Sequence, residues 1–163
     1  MSEDVQPQLR RLDGNGDYND ALDTLFGRSG RKLRIFDRQL GSGYVGTHRE
    51  QLLRSFLLAS RSNRIHIVLH DAANLQRDCP RLMSLLRQFA YAISINETEP
   101  QAKGVYDPFA VLDERDYVRR FHYDDSRGLL GLGDPQGAHE LVQRFEEIWE
   151  ASAPAVSATT LGL

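Results

Sequence analysis

The order of short apolar segments in the last third of the chain constrains the fold more than any other feature of the sequence. Segments 109–112 and 117–121 are rich in β-branched and aromatic residues, and only four residues, 113–116, separate them. A connection this short predicts a hairpin, so the two strands should be antiparallel. A further apolar run at 129–132 predicts a third strand in the same sheet.

The segment after that third strand predicts a helix. Asp134 is a good N-cap residue, and Pro135 is favoured at the first helical position because its missing N–H would be unpaired there anyway. Apolar residues then recur at helical spacing, namely Leu141, Val142, Phe145, Ile148 and Trp149. The spacing predicts a helix that closes one face of the sheet.

The preceding part of the chain alternates strands and helices. Three short apolar runs predict strands at 33–37, 65–69 and 92–95. Thr47 and Glu50 have the spacing of a capping box at the start of the first intervening helix, and Pro80 starts the second. Alternation of this kind implies parallel strands with right-handed crossovers. The predicted fold class is therefore α/β, with a mixed sheet built from β-α-β-α-β, then antiparallel strands and a C-terminal helix.

A chain of 163 residues favours one domain. Residues 1–30 are polar and rich in Gly, Asp and Asn, which predicts a flexible polar N-terminal segment with at most one helical turn. Residues 31–152 should form the α/β domain. Residues 153–163 contain small and polar residues and predict a disordered tail.

The segment order from about residue 31 to 152 resembles a phospholipase D-like domain, especially its C-terminal half. In that family a strand carries the motif His-x-Lys-x4-Asp, a hairpin strand follows, a later strand ends in Asp-Pro, and the last helix ends in Phe-x-x-x-Trp. When the motif is aligned on Phe109 and Asp113, Tyr106 takes the position of the catalytic His and Pro108 that of the Lys. Only Asp113 matches.

The resemblance implies a scaffold without its nucleophile. In the family the His attacks phosphorus and the Lys holds phosphate oxygens. An ordinary phenol stays protonated near neutral pH, and proline has neither charge nor donor. We therefore expect a degenerate, non-catalytic binding or regulatory module of bacterial type. Two half-units of this family normally face each other across their motif strands, so the resemblance also implies self-association, with a protein or a small anionic ligand as a further partner.

Several polar side chains follow predicted strands, where open α/β sheets place ligand groups. We predict a ligand rim made of His70, Asp71, Tyr106, Arg119, Arg120 and His122. The simpler interpretation is that His70 and Asp71 satisfy loop backbone groups and that the arginines pair with Asp124 and Asp125. Sequence proximity favours the simpler interpretation, because it does not establish geometry. The enzyme alternative is a phosphodiesterase or other hydrolase that uses His70 or His122 with the arginines.

Charge is distributed unevenly along the chain. Residues 27–91 contain twelve Lys+Arg and four Asp+Glu, whereas residues 92–163 contain six and thirteen. A basic segment is typical of nucleic-acid binding. It is equally typical of two regions that attract each other, or of a self-complementary dimer. The net charge of −3 and the lack of a nucleic-acid motif favour the latter two, while nucleic acid stays open as a partner.

Other motifs give weaker signals. No apolar run reaches the ~18–20 residues of a membrane span. The single cysteine, Cys79, permits no intrachain disulfide, which fits a cytoplasmic protein. Asp13-x-Asn15-x-Asp17 imitates the start of an EF-hand loop, but its sixth position is Tyr18 instead of Gly, so we predict no metal site.

The segment Gly41-x-Gly43-x-x-Gly46 formally fits a dinucleotide-binding loop. Four residues, 37–40, lie between the apolar part of the predicted strand and Gly41, the first glycine of the motif. They lengthen the tight turn that a dinucleotide-binding loop requires. We keep dinucleotide binding only as a minor alternative and predict no cofactor.

Overall fold

The computed structural model describes residues 6–156. The strands are β1 (Gln8–Asp13), β2 (Lys32–Asp37), β3 (Arg64–Leu69), β4 (Ile93–Thr98), β5 (Phe109–Leu112), β6 (Asp116–Arg120), β7 (Arg127–Leu132) and β8 (Ser152–Val156). The helices are α1 (Gly14–Phe26), α2 (Thr47–Leu58), α3 (Leu75–Asp78), α4 (Pro80–Gln88) and α5 (Pro135–Glu150). Within these residues no helix combines the length and the apolar character that crossing a membrane requires.

The eight strands form one mixed sheet in the order β1-β7-β6-β5-β2-β3-β4-β8. β2, β3 and β4 are parallel to one another, and the remaining neighbours pair antiparallel. The predicted fold class is thus confirmed, including the parallel β-α-β-α-β unit and the hairpin of β5 and β6.

Helices cover both faces of the sheet. Along β5 the side chains alternate, so that Ala110 and Leu112 join the core under α1, α2 and α4, while Phe109 and Val111 join the core under α5. We call these two sides the α1 face and the α5 face. Because each face buries its own apolar cluster, the central strands are hydrophobic on both sides.

The N-terminal segment differs from the prediction. Residues 8–26 form β1 and α1 instead of a flexible lead. Apolar residues at helical spacing bury one side of α1 in the core, and they include Ala21, Leu22, Leu25 and Phe26. The helical spacing of these apolar residues is hard to recognise in the sequence, because many Gly, Asp and Asn residues lie between them on the exposed side of the helix. Residues 1–5 lie outside the described part.

The predicted tail also differs in its first residues. After α5 the chain reverses, and β8 adds antiparallel to the edge of β4. The backbone of the edge strand β4 offers unpaired N–H and C=O groups, which any extended segment can complete regardless of its side chains. Residues 157–163 lie outside the described residues.

The two predicted helix starts have different outcomes. The predicted capping box of α2 is wrong, because Gly46 is the N-cap residue and no side chain caps the helix. The Glu50 carboxylate accepts instead from Arg54, one turn later. At α5 the prediction is confirmed, since the Asp134 carboxylate accepts the Gly137 N–H at 3.3 Å.

The topology brings several loops to one edge of the sheet. β5 begins beside the end of β2, because Phe109 pairs with Phe36. β6 ends at the same edge, because Arg119 pairs with Phe109. The carboxyl ends of β2, β3 and β4 therefore meet the start of β5 and the end of β6, and we call this edge the rim.

Candidate functional site

The positions that the resemblance assigns to the motif lie at two different ends of β5. Tyr106 and Pro108 precede the strand at the rim, where Tyr106 is 48% exposed and the Pro108 carbonyl accepts the Arg120 N–H. Asp113 lies at the far end, in the hairpin turn, with a positive φ of 52°. Its carboxylate accepts the backbone N–H groups of Arg31 and Lys32, both at 2.9 Å. Asp113 therefore holds the turn against the start of β2.

His70 follows β3 at the rim, and both of its ring nitrogens are hydrogen-bonded. Nε2 lies 2.6 Å from the Val105 carbonyl, and Nδ1 lies 2.7 Å from the Thr98 hydroxyl. A carbonyl only accepts, so Nε2 donates to Val105, and in a neutral ring Nδ1 then accepts from the Thr98 hydroxyl. The ring also packs edge-on against Phe36, with 5.2 Å between centroids. His70 thus fastens the end of β3 to the segment before β5.

Asp71 fastens the next loop in a similar way. Its carboxylate accepts the Ala73 N–H at 2.9 Å and the Gln39 side-chain amide at 2.8 Å. The Ala73 hydrogen bond, followed by that of Gln39, lowers the pKa of Asp71. The charged form is therefore the one that organises this loop.

Aromatic side chains form a cluster at the rim around Tyr106. The Tyr106 ring lies 5.5 Å from the His122 ring and 5.8 Å from the Tyr123 ring, and the neighbouring Phe121 is 50% exposed. We call Tyr106, Phe121, His122 and Tyr123 the aromatic cluster. The His122 Nδ1 accepts the Asp124 N–H at 3.0 Å, which leaves Nε2 with no hydrogen-bond partner in the described part of the chain.

Arg119 and Arg120 point to opposite faces of the sheet. On the α5 face, the Arg119 guanidinium lies 3.8 Å from the Asp107 carboxylate, which also pairs with Arg144 of α5. The Arg119 Nε is buried and has no hydrogen-bond partner within residues 6–156. On the α1 face, Arg120 donates two hydrogen bonds to the Asp125 carbonyl.

Arg119 and Arg120 do not form the predicted ion pairs with the carboxylates of Asp124 and Asp125 in the described structure. The Asp125 carboxylate binds Arg127 at 2.7 Å, which lowers the pKa of Asp125 to about 2. Asp124 forms no ion pair with Arg119 or Arg120 in the described structure. The six predicted rim residues do meet at one edge, but they divide between the two faces, and His70 and Asp71 already have partners.

A pocket of about 260 Å³ on the α1 face, which the sequence did not predict, lies between α1 and the loop after β2. We call it the α1 pocket. Its charged lining residues are Asp37, Arg38 and Arg120. Burial raises the pKa of Asp37 to about 6, although the Arg38 N–H and the charge of Arg120 partly oppose this. The rule that placed His70 after β3 also applies to Asp37 after β2, and could have indicated it.

A family model described as "Domain of unknown function (DUF7931)" matches residues 14–161. Among curated proteins, no sequence matches this chain.

Solved structures share the fold at low sequence identity. TrmBL2, an archaeal chromatin protein with a novel mode of DNA binding, has a TM-score of 0.67 and 15% identity over 95% of this chain and 56% of its own. Nuc of Salmonella typhimurium, a phospholipase D family member, has a TM-score of 0.64 and 11% identity over 93% of this chain and 100% of its own.

NucT from Helicobacter pylori has a TM-score of 0.62 and 11% identity over 92% of this chain and 100% of its own. These likenesses show a phospholipase D-like fold. This chain spans only about half the length of TrmBL2.

Proposed function

The chain belongs to the DUF7931 family, and we propose that it is a non-catalytic phospholipase D-like binding module that self-associates through its rim. The observation that carries the proposal is the lack of a free nucleophile at the motif positions. Tyr106 and Pro108 stand at the rim where the resemblance puts His and Lys. The neighbouring imidazole of His70 is hydrogen-bonded at both nitrogens and cannot attack without giving up a partner.

The exposed rings of the aromatic cluster support a binding role for the rim. Tyr106 and Phe121 are each about half exposed, and the Arg119 guanidinium lies 5.5 Å from the Phe121 ring. Tyr and Arg are enriched among the residues that dominate protein interfaces.

A second copy of this chain is the partner that best fits this surface. In the family that the sequence resembles, half-units face each other across the motif strands, and here Tyr106 precedes that strand. A two-fold arrangement would place each aromatic cluster against the other, because a two-fold interface uses the same patch on both subunits.

Size-exclusion chromatography with light scattering tests this proposal. We expect the unmodified chain to be a dimer and the double variant Tyr106→Ala/Phe121→Ala to be a monomer with unchanged circular dichroism. Tyr91→Ala is the matched control, because Tyr91 is 61% exposed but lies at the opposite end of the sheet. A monomeric unmodified chain at high concentration would refute self-association.

Turnover of bis(p-nitrophenyl) phosphate tests the absence of catalysis. We expect no turnover above the uncatalysed rate. His122→Ala is the informative variant, because Nδ1 accepts the Asp124 N–H, so Nε2 of the neutral ring carries a proton that, with no partner within the described residues, it could donate as a general acid. Turnover that disappears in His122→Ala would establish the hydrolase alternative.

Nucleic-acid binding is the second candidate, favoured by exposed rings beside arginines at the rim. Aromatic side chains stack on bases and arginines contact phosphates in proteins that bind single strands. TrmBL2, which shares the fold, binds DNA. Fluorescence anisotropy with a labelled oligonucleotide should then show affinity that falls steeply with salt. No binding at low salt would exclude this candidate.

A further inference from the structure

The α1 pocket has its own set of polar groups, separate from the contacts proposed for self-association. It opens on the α1 face, whereas Asp107 and Arg119 lie on the α5 face. Only Tyr123 belongs to both the pocket and the aromatic cluster. We propose that the α1 pocket binds a small phosphate monoester that carries ring hydroxyl groups, as a sugar phosphate does.

Two guanidinium groups provide the anion-binding part of the pocket. The Arg38 guanidinium lies 4.8 Å from the centre of the Tyr123 ring, and that of Arg120 lies 5.3 Å from the centre of the Tyr18 ring. Within residues 6–156 neither guanidinium forms an ion pair with a carboxylate. Asp37 is the acidic group among the charged lining residues, and both guanidinium charges lower its pKa against the larger effect of burial, so the two arginines together leave a positive charge that suits a phosphate, which accepts several N–H groups at once.

Amide and carboxyl groups beside the arginines provide the hydroxyl-binding part. The Gln39 amide donates to Asp71, which leaves its carbonyl oxygen free within the described contacts. One Asp37 carboxyl oxygen accepts the Arg38 N–H at 2.7 Å, and Asn15 and Asn19 add amide groups to the lining. Amide and carboxyl groups pair with hydroxyls, which both donate and accept. Inorganic phosphate alone would leave these groups unused.

The glycine-rich loop limits the size of the ligand. Gly43 lines the pocket, and a Cβ there would collide with the Arg49 guanidinium and the Asn19 side chain. The loop therefore packs tightly against α1 and forms a wall. A volume of about 260 Å³ is smaller than the ~300–1,000 Å³ of drug-sized sites. One ring with a phosphate is the expected size, and a dinucleotide is too large.

Isothermal titration calorimetry of the full chain tests the ligand class. We expect ribose 5-phosphate to bind at least about tenfold more tightly than either inorganic phosphate or ribose, because only the combined ligand uses both sets of groups. We expect adenosine 5′-monophosphate to bind more weakly than ribose 5-phosphate. Tighter binding of the nucleotide would refute the size argument, and equal binding of inorganic phosphate would refute hydroxyl recognition. No binding of any probe at millimolar concentration would refute the site.

Substitutions test which residues form the site. Arg38→Gln and Arg120→Gln should each weaken ribose 5-phosphate binding by about tenfold or more, because each removes a charge-assisted hydrogen bond. Arg61→Gln is the matched control, since Arg61 is exposed and does not line the pocket. Unchanged affinity in folded Arg38→Gln and Arg120→Gln variants would overturn the proposal. The Tyr106→Ala/Phe121→Ala variant should still bind, which separates this site from self-association.

Discussion

At the scale of single residues, His66 has an environment that ties its protonation to stability. Its ring stacks on the Trp149 ring, with 4.6 Å between centroids and a 15° interplanar angle. Burial, followed by the positive charges of Lys32 and Arg34, lowers the pKa of His66 to about 4, and Glu146 opposes this only in part. The folded protein therefore keeps this imidazole neutral at pH values where an unfolded histidine is charged.

The free energy of unfolding should fall in acid because of His66. An unfolded histidine has a pKa near 6.5, so between pH 6.5 and about 4 the unfolded chain binds a proton that the folded chain rejects. Solvent screening at this partly exposed ring keeps the loss to about 1–2 kcal/mol at pH 4, and the loss vanishes above pH 6.5. His66→Phe keeps the ring stacking and should reduce this dependence. Urea titrations at pH 7, 5.5 and 4.5, followed by Trp149 fluorescence, measure it; an identical pH dependence in His66→Phe would contradict the assignment.

The sequence indicates which residues follow the strands at the rim, but it does not indicate their hydrogen-bond partners. His70 directly follows the buried strand β3 and lies at the rim. Its hydrogen-bond partners Thr98 and Val105 lie 28 and 35 residues further along the chain. Contacts at that separation depend on how the strands assemble, so periodicity cannot reveal them. The same holds for the α1 pocket, which α1, the loop after β2 and the end of β6 form together.

At the scale of elements, one buried carboxylate joins three connections. Asp116 at the start of β6 is fully buried and accepts from Arg28, Arg115 and the Gly133 N–H. Burial alone would raise the pKa of Asp116, but the Gly133 N–H and the two guanidinium groups lower it below the ordinary value. Asp116 therefore ties the loop after α1 and the loop after β7 to the β5–β6 hairpin.

Asp116→Asn should destabilise the fold. The amide preserves the shape, but it cannot neutralise two guanidinium groups, and its NH₂ group would face donors. Breaking a buried, hydrogen-bonded charge cluster costs about 3–5 kcal/mol, and partial exposure of the arginines reduces this to about 2–3 kcal/mol. Chemical denaturation measures the difference. Asp124→Asn, at an exposed position, is the control and should change stability by less than about 0.5 kcal/mol; equal effects would contradict the role of Asp116.

The elements that the sequence missed are the two edge strands, β1 and β8, and the helix α1. β1 is the edge strand beside β7, and Leu12 is the only buried residue among its six. β1 is extended because its backbone pairs with the backbone of β7. Such pairing requires no alternation of apolar and polar side chains, so the sequence of β1 does not indicate a strand. The central strands β2 and β3 were predictable because burial on both faces demands apolar residues.

At the scale of the whole molecule, the uneven charge distribution is partly used inside the fold. Arg28 of the basic segment pairs with Asp116, and Arg34 pairs with Glu146 of α5 at 2.9 Å. The basic and acidic segments thus attract each other within one chain, as one interpretation of the sequence predicted. The Arg28–Asp116 pair has one buried partner, so it contributes more than a fully exposed pair, which is worth about 0–1 kcal/mol. The N-terminal helix α1 is held by its apolar packing and by the pair of Asp23 with Arg49.

Truncation tests how much the fold depends on α1. Leu22, Leu25 and Phe26 are at most 3% exposed, and burying each such side chain contributes about 1.5–3 kcal/mol. Losing all three costs about 5–9 kcal/mol, comparable to the ~5–15 kcal/mol that stabilises a typical domain. A chain of residues 31–163 should therefore lose cooperative thermal unfolding by circular dichroism. A chain of residues 14–163, which lacks β1 but keeps α1, should unfold cooperatively at a lower Tm. If residues 31–163 had the same Tm as the full chain, α1 would not be needed for stability. That result would support the flexible N-terminal segment that the composition of residues 1–30 predicts.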